Sequence, residues 1–225
     1  MIDMPIDIPS QMLGDIDVRA VSGRVEDFTP VIQVVRETWD TQTFEQLRDG
    51  RVSVPDDVVN ESIAKGIENN TGIQALNITS VGEGKLKLSA ETKKFGRVVL
   101  LCRIDQFVHN KETSTLKFKV LEKDLPDHGT MSWIFSRISL SMAEKLVGKV
   151  DLGSTIKTKI SGNTVTVDFQ QAVKESAAGQ TSFFGYALSD VIVVEEAIPK
   201  DGYIEFKTSL DVPDTVKNML LNILK

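Results

Sequence analysis

The chain alternates between stretches with the apolar spacing of a strand and stretches with the spacing of a helix. In Leu116-Lys117-Phe118-Lys119-Val120 apolar residues alternate with lysines, which is typical of a strand with one buried and one solvated face. After an acidic turn, apolar residues recur at helical spacing from 130 to 147, on more than one side of the helix. The pattern predicts a helix that either fills the core beneath a sheet or lines a cavity there.

Three further strand-like stretches precede this pair of elements. They cover residues 73–81, 85–92 and 97–108, and the strand around Leu116 covers residues 114–121. Short turns join them, and short turns between consecutive strands make antiparallel neighbours. Leu86, Leu88 and Ala90 alternate with polar residues, so the predicted meander has one apolar face. A short strand at 51–54 and a helix at 55–68 are predicted before it.

The pattern starts again beyond Gly148. The predicted strands are 154–160, 164–169, 191–196 and 203–209, followed by a closing helix from about Val216. A Pro-Asp pair stands before a predicted helix three times, and an aspartate in that position can cap the helix that follows: Pro55-Asp56, Pro126-Asp127 and Pro213-Asp214. The recurrence indicates either a two-fold repeat or three independent turns, and the short match leaves both open.

The predicted fold class is α+β, with curved antiparallel meanders wrapping long apolar helices and two related halves as an open alternative. Residues 1–50 are interpreted as an N-terminal arm and helical segment. Residues 51–149 form the helix, four-strand meander and second helix. Residues 150–225 form the second strand set and C-terminal helix, in one continuous domain with 51–149. Within the arm, Ile2 to Pro9 alternates apolar residues with Asp or Pro, which is typical of an extended sheet edge.

Charge and composition exclude several classes of protein. A net charge of −6 argues against a general nucleic-acid binder, because such proteins depend on basic surfaces. The single cysteine, Cys102, lies within a predicted strand, and one cysteine forms no intrachain disulfide. The longest apolar run, Val98 to Cys102, is too short to span a membrane, and the first residues lack the pattern of a signal peptide. A cytoplasmic protein with no transmembrane segment is expected.

Reactive side chains do not gather into a known catalytic or phosphate-binding motif. The chain has two histidines, His109 at a strand end and His128 in the turn before the long helix. Asp124, Asp127 and His128 could meet on one turn as metal ligands, but Asp127 is already expected to cap the helix. We therefore predict no catalytic residue, no metal and no cofactor.

From Val52 to Gly148 the layout resembles that of a known family. It carries a Val-Ser-Val start, helix 55–68, Gly-Lys-Leu-Lys-Leu-Ser at 84–89, and a Leu-Pro turn before an apolar helix. This order is similar to that of small bacterial phospholipid-binding proteins of the LmeA-like and YpmS-like type. Those proteins correspond to one half of the tubular lipid-binding (TULIP-like) layout, in which a crevice between a long helix and a curved sheet holds acyl chains. They usually carry an N-terminal export or membrane segment, whose pattern is not visible in residues 1–50.

The resemblance implies non-enzymatic binding of a lipid or another elongated apolar molecule. The wall of the site would be Leu116, Phe118, Met131, Trp133, Ile134, Phe135, Ile138 and Met142, and the polar loop at residues 170–180 would form a lid. The alternative is a structural or assembly protein with a packed interior, which forms a homo-oligomer through its N-terminal arm. Neither function needs a nucleic acid as partner.

Overall fold

The computed structural model describes residues 46, 49–67, 72–93, 95–147, 154–183 and 185–218. The predicted arm at residues 2–9 and most of the closing helix lie outside this part of the chain. Within it the protein is an α+β fold built on a large antiparallel sheet.

The strands are β1 (Arg51–Pro55), β2 (Ile73–Ser80), β3 (Lys85–Thr92), β4 (Gly96–His109), β5 (Ser114–Asp124), β6 (Lys157–Ser161), β7 (Thr164–Asp168), β8 (Ser182–Phe183), β9 (Tyr186–Ala187), β10 (Ile192–Pro199) and β11 (Tyr203–Leu210). The helices are α1 (Asp56–Ile67), α2 (Gly129–Arg137), α3 (Leu140–Val147), α4 (Gln170–Glu175), α5 (Ala177–Gln180) and α6 (Leu188–Val191). Residues 214–218 are also helical.

Strand β4 holds the sheet together. The strand order is β1-β11-β10-β4-β5-β7-β6, and β3 pairs with β4 as well as with β2. Residues 96–103 of β4 pair with β3, whereas His109 at its end pairs with Val194 of β10. One edge of β4 therefore pairs with β3 along its first half and with β10 at its end, and the other edge pairs with β5.

The predicted meander is confirmed, because β2, β3, β4 and β5 are consecutive antiparallel neighbours. The later strands do not form a second meander of the same kind. The β6–β7 hairpin adds to β5, while the β10–β11 hairpin lies on the other side of β4 and pairs with β1. Across the sheet, β11 and β10 from residues 150–225 therefore lie between β1 and β4 from residues 51–149.

The buried apolar residues of β3, β4 and β5 share one face and form two neighbouring clusters. Leu86, Cys102 and Val120 are directly opposite one another on β3, β4 and β5, so their side chains lie on the same face. One buried cluster contains Cys102, Val120 and Val165, another contains Ile78, Leu86, Ala197 and Ile204, and Leu88 packs against both. Burial raises the pKa of the Cys102 thiol to about 12, which keeps it protonated and unreactive at neutral pH.

The single helix predicted for residues 130–147 is wrong, because the structure has two helices there. Ile138 is extended, with φ −81° and ψ 156°. The Ser139 hydroxyl accepts a hydrogen bond from Met142 N at 3.2 Å, and Asn163 Oδ1 accepts one from Leu140 N at 2.8 Å. These acceptors satisfy the first N–H groups of α3 and make a new helix start favourable. Apolar periodicity alone did not reveal this interruption.

Two smaller expectations also differ from the structure. Asp127 does not cap α2, whose N-cap position is His128; instead the Asp127 carboxylate accepts a hydrogen bond from Arg97 N at 3.2 Å. The segment 170–180 is not a loop but two short helices, α4 and α5.

Helix α1 is fastened to the outer edge of β2 by two side chains. Asn60 bonds both backbone groups of Ile78, accepting from its N–H at 2.7 Å and donating to its carbonyl at 2.9 Å. One turn earlier, Asp56 accepts from the N–H and the hydroxyl of Ser80, each at 2.6 Å. Four residues of helix rise about 6 Å and two residues of strand about 6.6 Å, so the spacings match. Asn60 and Asp56 thus occupy backbone groups at the edge of β2 that would otherwise be open to another strand.

We predict that Asn60→Ala destabilises the fold by about 1 to 3 kcal/mol, because it leaves the Ile78 backbone groups without their partner. The matched control is Glu61→Ala on the same helix, where an exposed residue forms a surface ion pair with Lys65. Urea denaturation checks both variants. Equal stability of the two would show that the Asn60 bonds do not hold α1 in place.

Candidate functional site

The most unusual surface of the described chain is the segment formed by α2, the bend at Ile138-Ser139, and α3. Four large apolar side chains on it are about half exposed: Met131 at 49%, Trp133 at 60%, Ile134 at 48% and Met142 at 54%. Three of them lie within four residues of α2, and contiguous exposed apolar surface on a monomeric protein often marks an interaction site. We call residues 129–144 the α2–α3 segment.

The α2–α3 segment is anchored at both ends to the sheet. In α2 the Ser132 hydroxyl accepts a hydrogen bond from Leu125 N at 3.1 Å, just after β5. In α3 the Ser141 N–H donates to the Gly162 carbonyl at 2.9 Å in the β6–β7 turn. Leu140 packs against the buried cluster of Cys102, Val120 and Val165. The segment therefore runs along the apolar side of the sheet, from the end of β5 to the β6–β7 turn.

A buried lysine lies beneath the segment. Lys123 is opposite Leu100 in the sheet, which places it on the apolar face, and it is only 7% exposed. Its ammonium donates to the Ser136 carbonyl of α2 at 3.3 Å and forms no ion pair within the described residues. Burial lowers the pKa of Lys123, because the charged form loses hydration. The site thus combines exposed apolar groups with one weakly solvated cation.

The structure divides the predicted wall into two groups. Met131, Trp133, Ile134 and Met142 are exposed, whereas Leu116, Phe118, Phe135 and Ile138 are half-buried. Phe118 packs against the same buried cluster as Leu140 and so lies near α3. Leu116 precedes Asp124 by eight residues, about 26 Å along an extended strand, so it lies far from the start of α2. The eight residues do not form one compact wall.

Trp133 is held by a cation rather than by a pocket. The Arg137 guanidinium lies 4.3 Å from the centre of the indole ring, one turn further along α2. At exposed positions such a cation–π contact contributes about 0.5 to 1 kcal/mol. The indole is therefore oriented but still available to a ligand.

A buried polar cluster around His109 and Ser114 was not predicted from the sequence. His109 Nδ1 lies 2.7 Å from the Ser114 hydroxyl, and its Nε2 lies 2.9 Å from the Ser189 carbonyl. The Ser114 hydroxyl also donates to the amide oxygen of Gln170. A serine beside a histidine suggests a nucleophile and base, but Ser114 is 0% exposed. The cluster ties the β4–β5 turn to α4 and α6, and the 80-residue separation of His109 from Ser189 left no sequence signal for it.

Within the described ranges no group of three His, Cys, Asp or Glu side chains could hold a metal ion. None of the described helices has both the length and the apolar character needed to cross a membrane. A cleft of about 360 Å³ lies beside α1 and β2, lined in part by Ala64, Ile67 and Ile73, and it contains no residue of the predicted wall.

Comparisons with protein-family models, with curated proteins and with solved structures gave no match.

We predict that Trp133→Ala costs at most about 1 kcal/mol of stability, because only the Arg137 contact and part of the ring are lost. A tryptophan packed in the core would cost about 3 to 5 kcal/mol. Thermal and urea denaturation measure the difference. A loss in the larger range would mean that the indole is buried in solution.

Proposed function

We propose that the protein binds a lipid or another elongated apolar molecule along the α2–α3 segment, without catalysing a reaction. The observation that supports this most is the exposure of Met131, Trp133, Ile134 and Met142 on one anchored segment. Covering these groups removes apolar area from water, at roughly 25 cal/mol per Å². The two methionines are flexible and polarizable, which suits a ligand without fixed shape.

The site differs from the crevice implied by the sequence resemblance. The proposed ligand lies on a bent segment beside the sheet, because α2 and α3 are separate helices. Kinship with the LmeA-like and YpmS-like proteins and a TULIP-like arrangement remain part of the proposal, as does a cytoplasmic location. Lys123 beneath α2 would favour a ligand with an anionic head group, since a nearby anion compensates for lost hydration.

The test is titration of the full chain with a fluorescent long-chain fatty acid. We predict that Ile134→Ser weakens binding about five-fold, since roughly 1 kcal/mol of apolar burial is lost. The matched control is Val58→Ser on α1, because Val58 and Ile134 are both 48% exposed on helices. Val58→Ser should leave the affinity unchanged.

Two outcomes would contradict the proposal. One is equal affinity of the two variants for the fatty acid. The other is an absence of fatty acid binding together with self-association that Ile134→Ser abolishes, which would favour the assembly alternative. Light scattering at several protein concentrations detects that self-association.

A further inference from the structure

The central part of the sheet face opposite the α2–α3 segment is basic, in a protein of net charge −6. The flanking rows of the same face carry the acids Glu122 and Asp168. Strand register places polar residues in two rows across five strands. The first row is Lys85, Arg103, Lys119, Thr164 and Ser161. The second is Gln106, Lys117, Thr166 and Lys159. We call these nine residues the basic face; five of them are cations and none is acidic.

The cations of the basic face are only partly neutralised. Lys85 pairs at 2.8 Å with Glu83 in the β2–β3 turn, and Arg103 pairs at 3.2 Å with Asp105, which lies on β4 between the two rows. Lys117, Lys119 and Lys159 are exposed and form no ion pair within the described residues. The face therefore presents fixed positive charge to solvent.

The row of neighbouring cations does not contribute to the stability of the sheet. Lys85, Arg103 and Lys119 are directly opposite on three consecutive strands, and like charges in that position destabilise a sheet. Glu83 and Asp105 reduce this repulsion at two of the three positions, and Lys119 has no such partner within the described residues. Threonine or glutamine at any of these positions would avoid the repulsion. A row of cations that opposes stability is expected where an anionic partner binds it.

The shape and composition of the face indicate the kind of partner. Four inter-strand spacings of about 4.8 Å give a surface about 19 Å wide. Its rows contain lysine, arginine, threonine, serine and glutamine, whereas sheets that bind single-stranded nucleic acid present exposed aromatic rings. The aromatic rings Phe107 and Phe206 instead contact each other in the core, with ring centres 5.4 Å apart. A broad layer of anionic groups fits this face better than a nucleic acid strand.

We propose that the basic face docks the protein onto the anionic head groups of a lipid bilayer. Lysine side chains are flexible point charges, which suit mobile head groups. Each cation held near an anionic bilayer strengthens binding about five-fold. This docking does not depend on the proposed ligand site, since α3 packs on the opposite side of the sheet.

The test is co-sedimentation of the full chain with vesicles of phosphatidylcholine containing one third phosphatidylglycerol. Lys117→Gln with Lys119→Gln should weaken binding about 30-fold and leave the melting temperature unchanged or higher, since a like-charge contact is removed. The control pair is Lys93→Gln with Lys111→Gln, which removes the same charge from exposed turn residues beyond the two ends of β4. Raising salt from about 0.1 M to about 1 M should release the wild-type protein.

Equal weakening by the control pair, or equal binding to pure phosphatidylcholine vesicles, would overturn the proposal. Tighter binding to a single-stranded RNA than to the anionic vesicles would also overturn it. The two proposals fail separately: Lys117→Gln with Lys119→Gln should keep fatty acid affinity, and Ile134→Ser should keep vesicle binding.

Discussion

The arrangement of the described chain depends on one long strand, β4. Its first half must pair with β3, its end must pair with β10, and its other edge must pair with β5 along most of its length. These pairings place Leu86, Cys102 and Val120 on one face, and apolar burial on that face provides the main driving force for folding. The same alternation places Arg103 and Lys119 on the opposite face. One strand register thus produces both the apolar side that carries α2 and α3 and the basic side.

Most of the sheet could be predicted from sequence because its signals are local. The alternation of Leu86 and Leu88 with lysines, and the glycine turn between Ser161 and Asn163, indicate strands and hairpins without knowledge of the rest of the fold. The pairing of β1 with β11 joins residues about 150 positions apart. No local pattern encodes such a pairing, so the position of the second strand set was found only in the structure.

The candidate site was predictable in composition but not in geometry. Apolar spacing identified Met131, Trp133, Ile134 and Met142 as a helical group. It did not show that Ser139 and Asn163 start a new helix, since that depends on a contact across 23 residues. Nor did it identify Lys123, whose burial follows from its register opposite Leu100 and from the carbonyl of Ser136 above it. In the structure four of the eight predicted wall residues are exposed and the other four are half-buried.

The central claim is that the α2–α3 segment binds an apolar molecule in the cell. Native mass spectrometry of the full chain as purified from cells, followed by organic extraction and mass analysis, tests this most directly. The account predicts a bound species of defined lipid mass that is reduced in Ile134→Ser and retained in Val58→Ser. A ligand-free mass for the wild-type protein, or the same lipid bound equally to both variants, would contradict it.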